Sequence, residues 1–254
     1  MSHPAATDHL IPHIIHQIWY QGEAQIPERY RRFRETWQQN HPDWQFVFWD
    51  ERGIRELAQT QYPWFVKMFD GYASDIQRID SARYLILNSF GGFYIDMDIE
   101  SLRPIDELLA GYDLVLSRTV DFNNAIMGST PQHPLWPIVF EHLIEAYQRL
   151  CQEGRRTASA YQAALSTGPR LFAQAIKAGD FAQLSTTRAC SGSVFEPDFP
   201  REENGKIISS FDRQQAYARH YGDLNWLPPM HRAFSLLTAR VFNTFWAMRA
   251  RLSR

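Results

Sequence analysis

Along this chain of 254 residues, stretches of apolar residues with strand or helix spacing alternate with polar breaks. Residues 1–10 carry no sustained pattern and read as a tail. His13-Ile14-Ile15-His16-Gln17-Ile18-Trp19 is β-branched and apolar and runs into a turn containing Gly22, as a first buried strand would. Glu28 to Asn40, opened by Pro27, sets Tyr30, Phe33 and Trp37 at helical spacing. Trp44 to Trp49 predicts a second strand, closed by Asp50. Strand, helix, strand is the opening of an α/β unit.

Residues 53–69 predict two short helices broken near Pro63. The segment from Ser74 to Phe90 predicts a helix. Ile76, Ile79, the aliphatic stem of Arg83, Ile86, Leu87 and Phe90 share one face, and Ser74 is the N-cap. Gly91-Gly92 ends it, because glycine enters the left-handed conformation without a side-chain clash. Phe93-Tyr94-Ile95 then reads as a short buried strand running into Asp96-Met97-Asp98. Further on, residues 113–116 predict a strand, Leu135 to Leu150 a helix, and Ser159 to Ala178 a helix bent around Gly168-Pro169. Residues 190–225 read as irregular, and Met230 to Leu252 as a long amphipathic helix.

Composition narrows the class. An apolar share of 44% with 21% charged residues is that of a globular chain. Its net charge of −2, from 26 basic and 28 acidic residues, argues against a nucleic-acid binder that works by bulk positive charge. Two cysteines, Cys151 and Cys190, cannot build a disulfide framework or a structural zinc site, which favours a reducing, cytoplasmic setting. The N-terminus lacks the pattern of a signal peptide, and no window reaches the roughly 18 to 20 apolar residues of a membrane span. A soluble α/β protein is expected.

The chemistry concentrates at Asp96-x-Asp98. Two carboxylates spaced i, i+2 at the end of a strand can reach one hard cation, which a diphosphate also ligates. Glu100 adds a third acid within five positions, and a cation would relieve their mutual repulsion. In open α/β sheets ligands bind at the carboxyl ends of strands, where this motif falls. Asp75 and Arg78, three apart on the preceding helix, share a side and face the same cleft in this reading.

These residues resemble a known signature. Ser74-Asp75-Ile-x-Arg78, Arg83-Tyr84-Leu-Ile-Leu and Gly91-Gly92-x-Tyr94-x-Asp96-x-Asp98 are similar to the DXD glycosyltransferases of family 32 and its relatives. That group includes the initiating α-mannosyltransferases of yeast type and the catalytic domains of large clostridial glucosylating toxins. Ile11 to Trp19, Trp37-x-x-x-x-Pro42-Asp43-Trp44, Thr167-Gly168-Pro169 and Arg219-His220-Tyr221-x-x-x-x-Trp226 resemble its other blocks, in the same order. The resemblance implies an α/β fold of one GT-A (Rossmann-like) nucleotide-sugar-binding domain over residues 11–227 with helical additions, and the apolar stripe that follows adds a C-terminal amphipathic helix over 228–254.

It also implies roles. Asp98 would be the principal metal ligand. Asp96 would touch the donor ribose or sugar, with a share in the metal. His220 would supply a third ligand. Asp75 and Arg78 would hold the ribose or sugar, with Arg78 also near the diphosphate. Trp19 would stack on the base, Asn124 would line the donor or acceptor pocket, and Trp226 would close over the β-phosphate. Relatives often carry His-His or Ser-Trp in the last block, where this chain has His220-Tyr221 and Asn225-Trp226, so the third ligand stays open. Mn is the expected ion, with Mg the alternative, because an imidazole beside carboxylates suits Mn better.

The implied reaction is transfer of a hexose, with retention, from a UDP- or GDP-sugar to a hydroxyl of a glycan or lipid-linked saccharide in surface polysaccharide synthesis. No nucleophile is evident, so the acceptor hydroxyl attacks from the front face in this reading. Two alternatives stand beside it: a metal-dependent phosphate-ester hydrolase and a non-catalytic nucleotide-sugar or glycan-binding module. The C-terminal helix either packs on the domain or rests on anionic lipid, giving peripheral contact with the inner face of a membrane.

Overall fold

A computed structural model describes residues 10–154, 160–199, 201–203, 206–208 and 214–223. Trp226 and the helix expected over 228–254 lie outside the described residues. Among those described, no helix is long and apolar enough to cross a membrane.

Six strands form the central sheet: β1 (Ile14–Ile18), β2 (Gln45–Trp49), β3 (Gly92–Ile95), β5 (Leu114–Arg118), β6 (Phe122–Ser129) and β7 (Thr187–Ser191). Their order is β2-β1-β3-β6-β5-β7. β6 is antiparallel to both its neighbours, while β2, β1 and β3 pair in parallel, as do β5 and β7. A short strand β4 (Ile99–Ser101) leaves the sheet just after Asp98 and pairs antiparallel with β10 (Ala218–His220). β8 (Arg201–Glu203) and β9 (Lys206–Ile208) form a separate hairpin.

Helices α1 (Glu28–Asn40), α2 (Glu51–Gln61), α3 (Pro63–Gly71) and α4 (Asp75–Phe90) fall where the periodicity places them. α5 spans Leu135–Gln152. The bend expected at Gly168-Pro169 is a break between α6 (Ala160–Ser166) and α7 (Pro169–Ala178). Three expectations change. The region read as irregular from residue 190 contains the end of β7, the one-turn helix α8 (Gly192–Phe195), the hairpin and β10. Residues 122–129, to which the sequence reading gave no element, form β6, with Asn124 as its third residue.

The third change concerns α4, which is not amphipathic in the expected sense. From Asp80 to Leu87 every residue is buried, polar ones included, whereas Phe90 is 38% exposed. The helix lies within the molecule, against β3 and β6 on one side and α2, α5 and α6 on the other. A one-sided apolar stripe is the rule for surface helices only.

Two glycines set its exit. Gly91 and Gly92 have φ of 63° and 84°, and a Cβ on Gly92 would lie 2.5 Å from the Ile14 carbonyl oxygen. Glycine is required here by both backbone conformation and space. The tight exit lets β3 enter directly beside β1, with Ile15 opposite Phe93. His16 secures the same corner. Its Nε2–H donates to the Gly91 carbonyl at 3.0 Å while Nδ1 accepts from the Trp49 indole at 3.2 Å. Burial lowers its pKa to about 4, consistent with a neutral structural histidine.

Candidate active site

Asp96 and Asp98 leave the carboxyl end of β3, and the pairing of β4 with β10 brings the late histidine to them. His220 stands opposite Ile99 in that ladder, and the Tyr221 N–H donates to the Asp98 carbonyl at 3.0 Å. One ligand atom each from Asp96, Asp98 and His220 lies within 4.8 Å of the others. Among the described residues this is the grouping of three that could hold a metal ion. Two carboxylates and an imidazole fit Mn²⁺ or Mg²⁺ by donor type.

The three side chains differ in environment. Asp98 Oδ1 is 3.5 Å from His220 Nε2, and Asp98 Oδ2 accepts the Asp223 N–H at 2.9 Å. Burial raises the Asp98 pKa, but the nearby imidazole and these hydrogen bonds outweigh it and leave the carboxyl below its usual range. For His220, burial opposes the charged form, and the carboxylates of Asp98 and Glu196 overcome it, raising the pKa well above normal. Asp96 shifts upward, by burial first and then by the Asp98 charge, with Arg83 pulling the other way.

Arg83 is the residue the sequence reading misplaced. Its guanidinium, 2% exposed, pairs with Asp80 Oδ1 at 2.9 Å and Asp96 Oδ1 at 3.3 Å. It donates to the Asn124 carbonyl at 2.7 Å and lies 4.4 Å from the Tyr94 ring centroid. The Tyr94 hydroxyl completes the hold on Asp96, donating to Oδ1 at 2.6 Å. Burial raises the Asp80 carboxyl to about 6 despite the arginine. The pair expected at the site was Asp75 and Arg78. Neither contacts Asp96 or Asp98 among the described residues. Arg78 donates to the Phe69 and Tyr72 carbonyls at 2.9 and 2.6 Å and pairs with Asp75 at 3.0 Å. These two instead line a cleft of about 480 Å³ with Tyr20, Glu51, Arg55 and Asp70. The missed signal was the same spacing repeated: Asp75-x-x-Arg78 recurs five residues on as Asp80-x-x-Arg83.

Asn124 is 3% exposed, and its amide donates to Asp80 and to the Tyr84 hydroxyl. It therefore braces the Asp80–Arg83 pair instead of lining an open pocket. Thr167 joins the same network, accepting from the Tyr84 hydroxyl at 2.9 Å through its carbonyl. Trp19 packs with Tyr30, Phe33 and Met97, and its indole N–H is buried without a hydrogen-bond partner among the described residues. Glu196 had no motif to reveal it. It follows the apolar pair Val194-Phe195, much as Asp96 follows β3.

The β5–β6 pairing explains how so much converges. Leu116 faces Met127, but Ser117 faces Asn123, so Asn124, Ala125 and Ile126 bulge out of that ladder. The freed carbonyls serve the site: that of Asn124 accepts from Arg83, and that of Ala125 accepts the Asp96 N–H at 2.8 Å.

Residues 27–115 match the family described as the glycosyltransferase sugar-binding region containing a DXD motif. The chain is similar to a mannosyl phosphorylinositol ceramide synthase of Saccharomyces cerevisiae, 30% identical over 93% of this chain and 60% of that protein. An inositol phosphoceramide mannosyltransferase of Schizosaccharomyces pombe is 34% identical over 63% of this chain and 49% of its own length. The chain thus spans about half the length of the curated relatives it matches. Among solved structures, the UDP-bound glycosyltransferase domain of the YGT toxin superposes with a TM-score of 0.51 at 9% identity. That match covers 72% of this chain and 80% of the other. The PaToxG glycosyltransferase gives 0.50 at 17% identity, over 66% and 69%. The architecture is the GT-A fold.

Proposed function

We propose that the protein is a metal-dependent hexosyltransferase that takes a sugar, mannose first among candidates, from a nucleoside diphosphate to a hydroxyl of a lipid-linked or glycan acceptor. One observation carries this reading: Asp96 and Asp98 at the sheet's carboxyl edge meet His220 from a distant part of the chain. The names of the curated relatives support mannose and an inositol-containing lipid.

A divalent ion bound there supplies electrostatic stabilisation to a leaving diphosphate. Asp98 and His220 would hold it, with Asp96 presenting its partly exposed carboxylate to ion or donor. Arg83 is too deeply enclosed to be a mobile phosphate clamp; it favours the charged form of Asp96 against burial and orients it. Trp19, flanked by Met97 and with a free indole N–H, would form a wall of the base site. Among the described residues no side chain stands out as a covalent nucleophile, so retention would proceed with the acceptor hydroxyl attacking on the face the diphosphate leaves.

Thermal melting with UDP, GDP and their sugars, in Mn²⁺, Mg²⁺ or EDTA, tests this. A ligand at a hundredfold excess over its Kd stabilises the native state by about 2.7 kcal/mol. The expected outcome is a shift with one nucleotide class, present with Mn²⁺ and absent with EDTA. Asp98→Asn should abolish that shift and lower sugar transfer at least ~100-fold, in the range of losing a key electrostatic group. Folded, metal-exposed protein that melts identically with every nucleotide would return the site to the hydrolase reading.

A further inference from the structure

Glu196 has no exposed surface. A carboxylate enclosed this completely is costly unless its oxygens are paired. Three donors meet it. Ser117 Oγ donates to Oε2 at 2.7 Å, and Asn123 Nδ2 donates to Oε1 at 2.7 Å. The third is His220, whose Nδ1 lies 2.9 Å from Oε1. Ser117 and Asn123 are the residues that face each other where the β5–β6 ladder shifts register. The bulge therefore holds the carboxylate from one side while β10 presents the imidazole from the other.

The chemistry of these contacts fixes more than position. An ionised carboxylate only accepts, so the His220 Nδ1 must carry a proton. The other ring nitrogen, Nε2, is the one turned toward Asp98. Phe199 stacks on the ring with centroids 5.1 Å apart, limiting rotation about the remaining axis. An imidazole held by a carboxylate on one nitrogen, with the other facing a carboxylate pair, has the arrangement that orients metal-ligating histidines.

We propose that Glu196 is a positioning residue of the metal centre: by holding the proton on His220 Nδ1, it presents Nε2 to the ion shared with Asp96 and Asp98. This rests on the metal-dependent reading above. It assigns to Glu196 a role that a purely structural anchor for Ser117 and Asn123 would not have. The carboxylate also makes the imidazole a stronger donor than an amide partner could.

The test is Mn²⁺ affinity without nucleotide, read from the free-ion electron paramagnetic resonance signal, in wild type, Glu196→Gln and Asp98→Asn. Glu196→Gln keeps the shape and can still accept one hydrogen bond. It should weaken Mn²⁺ binding about 10- to 100-fold, with little change in the melting temperature of the metal-free protein. Equal affinity in wild type and Glu196→Gln overturns the role of Glu196 while leaving the metal centre standing. Absence of Mn²⁺ binding by folded wild type overturns the metal centre itself, and this proposal with it. If Glu196→Gln fails to fold, the wild-type tautomer decides. Long-range ¹H–¹⁵N spectra with Mg²⁺, assigned through His220→Gln, should show Nδ1 protonated and Nε2 bare. The opposite tautomer, or a His220 ring insensitive to Mg²⁺, overturns it.

Discussion

Helix α4 carries two Asp-x-x-Arg pairs with identical spacing and opposite fates. Asp75 and Arg78 sit in its first turn. Asp75 is half-exposed, and Arg78 spends two donors on the carbonyls at the end of α3 and the turn after it. Asp80 and Arg83 lie deeper, 8% and 2% exposed at the side chain, and Arg83 joins Asp80 to Asp96. Sequence spacing is therefore not enough to say which pair does chemistry. What separates them is depth along the helix: Arg83 reaches Asp96 at the end of β3, whereas Arg78 turns to the carbonyls at the end of α3 and, with Asp75, lines a separate cleft.

Variants at the two pairs should separate by size. Arg83→Met leaves Asp80 and Asp96 facing each other without their cation, and breaking one side of a buried ionic group typically costs about 3–5 kcal/mol. Urea denaturation should show that loss, together with abolished metal-dependent nucleotide binding. Arg78→Gln removes the carbonyl contacts and should cost about 1–2 kcal/mol, with Mn²⁺ affinity unchanged. Asp75→Asn breaks only an exposed pair, and its effect on stability should stay below about 0.5 kcal/mol. The contrast breaks if Arg78→Gln loses nucleotide binding at unchanged stability. In that case the outer pair, and the cleft it lines, belongs to the donor site after all.

Much of the fold was legible because its signals are local. The β-branched run to Trp19, the spacing of Tyr30, Phe33 and Trp37, and the Gly91-Gly92 exit each report on a few consecutive residues, and each lies where expected. The Asp96, Asp98 and His220 grouping was legible through a resemblance that ties distant blocks together. What escaped depends on packing that no window contains. Arg83 read as an aliphatic stem because α4 was treated as a surface helix, though it is enclosed on both sides. Glu196 and the centre of β6 gained their meaning only from the register shift at Ser117, which the sequence does not mark. Ser74 illustrates a smaller version: it is at the N-cap, yet its hydroxyl donates to Gln77 and caps no backbone N–H.

The ladder of β4 with β10 has a consequence for how the chain reaches its working form. Its contacts close a very long loop, with Asp223 donating to Asp98 across 125 residues. Closing a loop costs entropy that rises only logarithmically with length, so the join is affordable once the sheet exists, but it has little to nucleate it earlier. During synthesis, Asp96 and Asp98 leave the ribosome more than a hundred residues before His220. Until His220 leaves the ribosome, the nascent domain holds only the acidic half of its site, and competence arrives as a late event in assembly.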